Sequence, residues 1–311
     1  MLFIILYIIF ALVIFNVIFK VYVKFNTMSC KNKVCLVGKT VIVTGSNTGI
    51  GYETALECAK RGARVIIACR DHRKGTVAVQ NIKTLTQNQN IVLKIVDLAS
   101  LTSVKNFATN ILQTEEKLDI LINNAGTLML GDQLTEDGFQ LEMQINYFGP
   151  VLLTLMLVNL LKKSTASRII NVASEAAKYA RLDVKNLNGK PNYPTAKLCN
   201  ILFTQELAKR LNEFNISVFA LHPGMIATDI ITRHLSPVVY SGVAPLSKFL
   251  FKTPEEGAQT TIYVATEPGI EYLTGGFFSE CHYQEHYKTA RDPELARQLW
   301  DETIKLLNYN D

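Results

Sequence analysis

A tyrosine and a lysine in the second half of the chain have the types and spacing needed to move a proton. Tyr193 and Lys197 are four positions apart, so a helix over them places both side chains on one face. A free phenol titrates near pH 10, and an ammonium about 4 Å away favours the phenolate by on the order of 4 kcal/mol at an effective dielectric of 20. We therefore expect a lowered pKa for Tyr193, which would act as general acid and base.

Two further polar residues precede this pair in an order that suits the same chemistry. Ser174 follows a predicted strand and would hydrogen-bond the substrate oxygen that Tyr193 protonates. Asn146 follows an earlier strand, on a predicted helix, and would hold a water that passes the proton to Lys197. Each has an ordinary alternative, since Ser174 suits an N-cap, Asn146 suits a helix irregularity, and a Tyr-x-x-x-Lys pair is frequent on exposed helix faces.

A glycine-rich turn near residue 45 indicates where a nucleotide would bind. Gly45 permits a tight exit from a predicted strand, Gly49 leaves room for a pyrophosphate, and Gly51 lets a helix pack closely on that strand. The phosphates would meet backbone N–H donors and the positive end of the helix. A purely structural turn is the alternative. The predicted cofactor contacts of this turn are Gly45, Ser46, Asn47, Thr48, Gly49, Ile50 and Gly51.

The run Asn123-Asn124-Ala125-Gly126 follows another predicted strand. We expect Asn124, Ala125 and Gly126 to contact the same cofactor, whereas an ordinary turn is the alternative. An oxidised nicotinamide would place a second positive charge beside Tyr193, and together with Lys197 it would bring the pKa of the phenol to roughly 7. The ordered motifs therefore predict a nicotinamide-dependent oxidoreductase with no metal site.

The choice of cofactor depends on the end of the second predicted strand. Arg70 lies 19 residues after Gly51, where a guanidinium accommodates the 2′-phosphate of NADP(H). Asp71 is the complication, because a carboxylate at that place would bind the free ribose of NAD. We predict NADP(H). After the third strand, Asp97 and Leu98 are expected at the adenine edge, with an ordinary N-cap as the alternative for Asp97.

From about residue 40 the chain alternates short apolar runs with helical patterns, which is typical of βαβ units around a parallel sheet. The segments that precede Gly45, Asn123, Ser174 and His222 are strands buried on both faces. Because the carboxyl ends of parallel strands share one edge, we expect the motifs to line a single cleft there. The predicted strands are 40–44, 64–69, 91–96, 118–122, 168–172 and 217–221, with a helix over 52–61.

The N-terminal segment predicts a membrane anchor. Residues 1–19 are almost wholly apolar and as a helix would span about 28 Å, close to the thickness of a bilayer core. A cleaved signal peptide is the alternative, although the charged start and small-residue cleavage site are poorly met. Five lysines and no acidic residue occur within residues 1–39, so residues 20–38 read as a basic juxtamembrane linker and residues 39–311 as the catalytic domain.

The distribution of charge and the cysteines limit the cellular location and the partners that we expect for this chain. The net charge of +5 lies entirely in the N-terminal flank, which argues against a nucleic-acid binder. The lysines that follow the span place the catalytic domain in the cytosol, and we expect an endoplasmic reticulum membrane. Six scattered cysteines form no disulfide framework. Assembly into a homo-oligomer stays open.

The segment 230–251 is rich in apolar residues and precedes a clear helix start. One interpretation is a hydrophobic lid that admits a lipid-like substrate from the bilayer, and the other is a pair of helices packed on the domain. The following helix is predicted to begin with Thr253 as N-cap, Pro254 in the first turn and Glu256 completing a capping box.

These motifs resemble the short-chain dehydrogenase/reductase family over residues 38–280. The strings that carry the resemblance are Thr44 to Gly51, Asn123 to Gly126, Asn146, Ser174, Tyr193-x-x-x-Lys197, and Pro223-Gly224 followed by Thr228. Within the family the chain is similar to the retinol dehydrogenase group, through Ala68-Cys-Arg-Asp71, Leu202-Phe-Thr-Gln-Glu-Leu207 and Thr253-Pro-Glu-Glu-Gly-Ala-Gln-Thr260. Ala196 departs from the group, where Ser is frequent, and Pro194 directly follows the tyrosine. These departures concern the fit of the substrate.

The resemblance implies a doubly wound α/β Rossmann fold with a mainly parallel seven-stranded sheet and no separate substrate domain. It implies Tyr193 as acid and base, Lys197 on the nicotinamide ribose, Thr228 near the carboxamide, and Pro223 and Gly224 among the cofactor contacts. The expected activity is NADP(H)-dependent interconversion of an alcohol and a carbonyl on a lipophilic substrate of the retinol and retinal type. The alternatives are other lipid aldehydes, isoprenoid alcohols or sterols, an epimerase cycle, or a catalytically silent nucleotide-binding membrane scaffold.

Overall fold

The computed structural model describes residues 27–189, 193–226 and 251–309, together with positions 7, 14, 18, 20, 21 and 23–25. Within these residues the chain forms one sheet in the order β3-β2-β1-β4-β5-β6-β7-β8. This is the doubly wound order, in which the connections reverse between β1 and β4 and leave a crevice at the carboxyl edge. The strands are β1 (Thr40–Thr44), β2 (Arg64–Cys69), β3 (Ile91–Ile95), β4 (Ile120–Asn123), β5 (Ser167–Val172), β6 (Ile216–His222), β7 (Phe277–Ser279) and β8 (His282–Gln284).

The predicted count of seven strands is wrong, because the described residues form eight. Strands β1 to β7 are mutually parallel, as expected, while β8 pairs antiparallel with β7. The two are joined at Glu280 and Cys281, whose φ values of +52° and +57° give the left-handed backbone that a tight hairpin needs. A three-residue exposed strand carries no sequence pattern of its own, so β8 had no signal to find.

The six strands predicted from the sequence are confirmed within two residues at each end. Continuous apolar runs explain this success, since β1, β4 and β6 are buried along their whole length. The first helix begins at Gly49, three residues earlier than predicted. The helices are α1 (Gly49–Lys60), α2 (His72–Thr86), α3 (Leu101–Thr114), α4 (Leu141–Leu161), α5 (Tyr193–Arg210), α6 (Pro254–Thr266) and α7 (Pro293–Leu307).

The sheet separates two apolar layers. Helices α3, α4, α5 and α7 cover one face, and α1, α2 and α6 cover the other. In the described part of the chain one helix, α4, is long and apolar enough to cross a membrane, but 83% of its apolar window is buried inside the protein. Its all-round apolar surface is that of a central core helix packed between sheet and neighbours.

Two predicted features lie largely outside the described residues. The described positions of the N-terminal segment are helical and include exposed apolar side chains such as Ile18 and Phe25. The candidate lid lies almost wholly in 227–250, and the predicted contact Thr228 falls there too. The helix start that follows it is described, and the capping box of Thr253 and Glu256 is confirmed.

Candidate active site

The glycine-rich turn stands at the point where the sheet order reverses. Gly45 has a φ of +67°, and a Cβ there would lie 2.9 Å from the Cα of Ala125 in the turn after β4. A Cβ on Gly51 would lie 2.5 Å from the carbonyl oxygen of Gly45, so only glycine permits this contact of helix and strand. Around Gly49, with a φ of +61°, a Cβ would meet nothing among the described residues within 4 Å. Gly45 and Gly51 are crowded, as expected for a tight turn and for close packing of helix and strand. Gly49 is open, as expected where a pyrophosphate would approach.

Polar side chains in this region hold the two turns together. The hydroxyl of Ser46 donates to the carbonyl of Val43 at 2.6 Å. The hydroxyl of Thr44 accepts from the backbone N–H groups of Asn124 and Ala125, both at 3.0 Å, and the Asn124 amide donates to the carbonyl of Thr44 at 2.8 Å. The side chains of Ser46 and Asn124, predicted as cofactor contacts, are thus bonded to the protein itself. Because the N–H groups of Asn124 and Ala125 are engaged as well, the backbone N–H donors at the start of α1 are the ones left to meet a ligand.

The N-terminus of α1 opens onto a groove of about 500 Å³. Thr48 precedes α1, and no described side chain caps its first turn, so N–H donors and the positive end of the helix dipole face this region. The groove is lined by Asn47, Thr48 and Gly49 on one side and by Arg73 and Lys74 of α2 on the other. This combination fits the anionic phosphates of a dinucleotide. Sequence reasoning missed Arg73 and Lys74, although their place in the first turn after β2 was a usable signal.

Arg70 and Asp71, the two residues that bear on cofactor choice, have different surroundings in the structure. Asp71 caps α2, and its carboxylate accepts from the backbone N–H of Lys74 at 2.9 Å, which lowers the pKa of Asp71. The Arg70 side chain is exposed at the end of β2 and forms no hydrogen bond or ion pair with the described residues. Asp71 is therefore engaged by its helix, while the guanidinium is available.

The turn after β3 differs from one expectation. The N-cap of α3 is Ser100, not Asp97, so the alternative role given to Asp97 is wrong. The Asp97 carboxylate instead accepts from the backbone N–H of Ala99 at 2.9 Å. Leu98 is buried, and a Cβ on Gly149 of α4 would lie 2.8 Å from the Leu98 carbonyl oxygen. Any cofactor contact of Leu98 thus falls to its backbone.

Asn146 lies in a π-helical turn, Gln144–Phe148, within α4. Its side chain is buried, accepts from the backbone N–H of Thr127 at 2.9 Å, and donates to the carbonyls of Thr127 and Glu142 at 2.8 and 2.7 Å. Both N–H donors of the Asn146 side-chain amide are therefore engaged. A water bound at Asn146 could only donate a hydrogen bond to one of its oxygens. A Cβ on Gly126 would lie 3.1 Å from the Asn146 side-chain oxygen and 3.5 Å from Lys197 Nζ, so Gly126 stands between these two residues.

Ser174, Tyr193 and Lys197 come together at the carboxyl end of β5. Ser174 lies close to the Tyr193 hydroxyl and acts to lower the pKa of Tyr193, and it also caps the 3₁₀ helix Glu175–Tyr179 by accepting from Ala176 N–H at 3.2 Å. Lys197 Nζ lies 5.5 Å from the centre of the Tyr193 ring and donates to the carbonyl of Val172, the last residue of β5, at 2.7 Å. The tyrosine–lysine pair thus shares one face of α5, and the serine is both a cap and a partner of the phenol.

The protein's own residues do not lower the pKa of Tyr193, in contrast to the expectation from the sequence. Burial raises the pKa of Tyr193 above its ordinary value, and Ser174 only partly offsets this. Burial also lowers the pKa of Lys197 from 10.5 to about 8. The Lys197 ammonium, 5.5 Å from the ring centre, favours the phenolate, and the cost of burying that charge opposes it. The phenol is therefore neutral at physiological pH, the form that donates a proton.

Two pairs that the sequence did not suggest, each with one largely buried member, brace the loops around the site. His222, at the end of β6, accepts through Nδ1 from the backbone N–H of Glu175 at 3.2 Å, beside Ser174. Lys252 is buried and forms an ion pair with Glu280, and its ammonium would lie 2.9 Å from a Cβ on Gly224. Gly224 has a φ of +93°. Predicted contacts Pro223 and Gly224 thus sit in a loop fixed from two sides.

Comparison with known proteins identifies the family of the chain. Residues 39–236 match the family model for short chain dehydrogenases. The chain is 43% identical to human (Homo sapiens) retinol dehydrogenase 11, over 89% of this chain and 88% of the relative, and 41% identical to mouse (Mus musculus) retinol dehydrogenase 13, over 90% and 86%.

Solved structures are similar over most of the chain. An uncharacterised protein from Mycobacterium paratuberculosis has a TM-score of 0.70 at 29% identity, covering 89% of this chain and 96% of that one. An NADP active-site complex of Pseudomonas aeruginosa RhlG has a TM-score of 0.62 at 27% identity, covering 78% and 95%. The chain is an oxidoreductase of the short-chain dehydrogenase/reductase family and is similar, within it, to the retinol dehydrogenase group.

Proposed function

We propose that this protein is an NADP(H)-dependent oxidoreductase that interconverts an alcohol and an aldehyde or ketone on a lipophilic substrate of the retinol and retinal type. The observation that carries the proposal is the convergence of Ser174, Tyr193 and Lys197 beside the turn that contains Gly126. A hydroxyl pair and a buried ammonium at the edge of a dinucleotide crevice suit hydride and proton transfer to a carbonyl.

Ser174 and Tyr193 would together hold the substrate oxygen. The neutral Tyr193 phenol donates its proton to that oxygen in the reductive direction, and Ser174 hydrogen-bonds the oxygen as charge develops. Lys197, held by the Val172 carbonyl, keeps a positive charge close to the phenol below about pH 8. Bound NADP(H) would supply the hydride and, when oxidised, a second positive charge.

Preference for NADP(H) is supported by the charges around the nucleotide groove. Arg70 is exposed and without a described partner, Asp71 is engaged as a helix cap, and Arg73 and Lys74 line the groove. Arg70 would meet the 2′-phosphate, with Arg73 and Lys74 adding positive charge nearby. Thr228 stays a prediction as a contact of the carboxamide.

A lipophilic substrate is supported by the names of the relatives, which are retinol dehydrogenases at about 40% identity. The apolar N-terminal segment supports the same conclusion, since a membrane anchor would keep the enzyme where such substrates dissolve. We further propose an endoplasmic reticulum membrane with the catalytic domain in the cytosol, on the basis of the lysines that follow residue 19.

A substrate panel tests the proposal. Detergent-solubilised full-length protein is assayed at 340 nm with NADPH and with NADH, across retinal, long-chain aldehydes, isoprenoid aldehydes and ketosteroids. We expect turnover of a lipophilic carbonyl with a lower KM for NADPH than for NADH. Absence of substrate-dependent cofactor oxidation across the whole panel would contradict the proposal and favour a silent nucleotide-binding scaffold.

A further inference from the structure

The residues between the N-terminal helix and β1 are not a free linker. From Lys24 to Leu36 the described chain, here called the strap, lies along α6 from its beginning to its end. Lys24 pairs with Glu256 in the first turn of α6 at 2.6 Å, and the Cys30 N–H donates to Gln259 one turn later at 3.1 Å. Asn32 then donates to Glu267, just beyond the end of α6, at 2.6 Å.

The far end of the strap is its best-held part. The side-chain oxygen of Asn32 accepts from Arg61 at 2.6 Å and from the buried Thr266 hydroxyl at 3.1 Å, and the Asn32 carbonyl accepts from Arg61 at 3.0 Å. Leu36 is buried in the apolar layer under α1 and α6, and its N–H donates to the Arg61 carbonyl at 2.8 Å. The exposed Lys24 pair adds little by comparison, because water and salt screen it.

The direction of α6 fixes where the strap begins. A helix that connects two parallel strands starts at their carboxyl edge, and α6 joins β6 to β7 in this way. A Cβ on Gly257 in its first turn would lie 2.6 Å from Ile226 and 3.4 Å from Ile50 of the glycine-rich turn. The Met28 N–H also bonds Glu280 at 3.2 Å, and Glu280 pairs with Lys252 beside Gly224. The strap therefore enters the domain at the edge that carries the active site.

We propose that the strap turns the active-site edge of the sheet toward the phospholipid bilayer, so that an apolar substrate enters directly from the membrane. The inference rests on the proposed membrane anchor and lipophilic substrate. An anchor that led into a loose linker would leave the domain free to rotate. A strap fixed along α6 instead delivers the chain from the membrane to the carboxyl edge. Exposed apolar side chains occur at both edges, including Tyr179 and Tyr272, so surface composition does not decide the orientation and the strap does.

Two matched tyrosines allow the orientation to be measured without catalysis. Tyr179 follows Ser174 at the carboxyl edge and is 76% exposed, whereas Tyr272 precedes β7 at the amino edge and is 81% exposed. The edges are at least about 17 Å apart, the length of a five-residue strand. In full-length Cys35→Ser protein, which lacks the exposed thiol, Tyr179→Cys or Tyr272→Cys carries a fluorophore. Each sample is reconstituted into phosphatidylcholine vesicles that contain a nitroxide headgroup lipid as a short-range quencher.

We expect several-fold stronger quenching at position 179 than at 272. We also expect Asn32→Ala to reduce this difference, while Lys24→Ala leaves it nearly unchanged because that pair is exposed. Equal quenching, or stronger quenching at 272, would overturn the inference, as would a protein that does not float with the vesicles. The 340 nm assay in detergent is read separately, so inactive protein with the expected quenching would contradict the proposed function and leave the orientation standing.

Discussion

The turns after β1 and β5 end at the same edge of the sheet, but they use their polar side chains in opposite ways. Around β1 the side chains of Ser46, Thr44 and Asn124 bond the protein's own backbone and leave the ligand to backbone donors. After β5, Ser174 and Lys197 act on another side chain, the phenol of Tyr193. In the proposed reaction, cofactor recognition would therefore depend on shape and backbone, whereas catalysis would depend on side chains whose protonation is set by burial. Substitutions in the two regions should therefore have different effects on cofactor binding, turnover and stability.

After the loss of the Tyr193 hydroxyl itself, the largest expected effect of that difference is at Ser174. Ser174→Ala would remove the proposed donor to the substrate oxygen, and we expect kcat to fall by about 10²- to 10³-fold with the KM for NADPH nearly unchanged. Ser100 is the matched control, because it also caps a helix by accepting a backbone N–H. Ser100→Ala should cost about 1 kcal/mol of stability and leave kcat intact. Equal losses of kcat in both variants would reduce Ser174 to a cap.

Arg70 tests the recognition side. Arg70→Ala would remove the proposed charged contact with the 2′-phosphate, and we expect KM for NADPH to rise about 10- to 100-fold while KM for NADH stays the same. Arg297→Ala on the exposed face of α7 is the control for a lost surface guanidinium. Steady-state kinetics with both cofactors measures the effect. A matching rise for NADH would place Arg70 away from the phosphate.

The pKa of Lys197 predicts opposite trends for activity and stability above neutrality. Its positive charge is lost as pH rises through about 8, so kcat/KM for carbonyl reduction should fall by about tenfold per pH unit beyond that point. The folded state binds fewer protons than the unfolded state between about 8 and 10.5, so stability should rise over that window. Denaturant midpoints and initial rates on one pH series check both signs. If the denaturant midpoint and the initial rate fall together, the loss of activity is due to unfolding and not to the loss of the Lys197 charge.

The smallest catalytic effect is expected at Thr44, whose role is to hold two turns together. Thr44→Val keeps the shape of the side chain but leaves the N–H groups of Asn124 and Ala125 without their acceptor. We expect a loss of about 1–3 kcal/mol in the free energy of unfolding. At saturating NADPH, kcat should change little, and urea unfolding with parallel kinetics measures both. A large loss of kcat with unchanged stability would show that Thr44 does more than hold the turns.

Pattern and spacing were sufficient for the parts of the protein that repeat a strong physical rule. Buried strands such as β1 and β6 are long apolar runs, and the capping box at Thr253 is a local signature. The sequence could not predict what depends on distant neighbours. Arg73 faces the groove only because α2 packs beside α1.

The protonation of Tyr193 was beyond the sequence for the same reason. Spacing places Lys197 near the phenol of Tyr193. Burial by residues far along the chain, however, raises the pKa of Tyr193 and lowers the pKa of Lys197. The π-helical turn at Asn146 is the helix irregularity offered as the alternative role of this residue, but its hydrogen bond with Thr127 could not be predicted from the sequence. The strap is a further case, since basic residues beside an apolar segment suggested a linker, while its contacts with α6 join residues more than 200 positions apart.

The role of the Tyr193 hydroxyl is tested most directly by Tyr193→Phe, measured for both NADPH affinity and turnover. Removing one oxygen from the partly buried Tyr193 ring leaves the backbone contacts of the nucleotide turn untouched, so NADPH binding followed by fluorescence should keep its Kd. Single-turnover reduction of the preferred carbonyl should slow by about 10²- to 10⁴-fold, while the exposed control Tyr272→Phe keeps the wild-type rate. Wild-type turnover by Tyr193→Phe would contradict the proton-donor role on which the account depends.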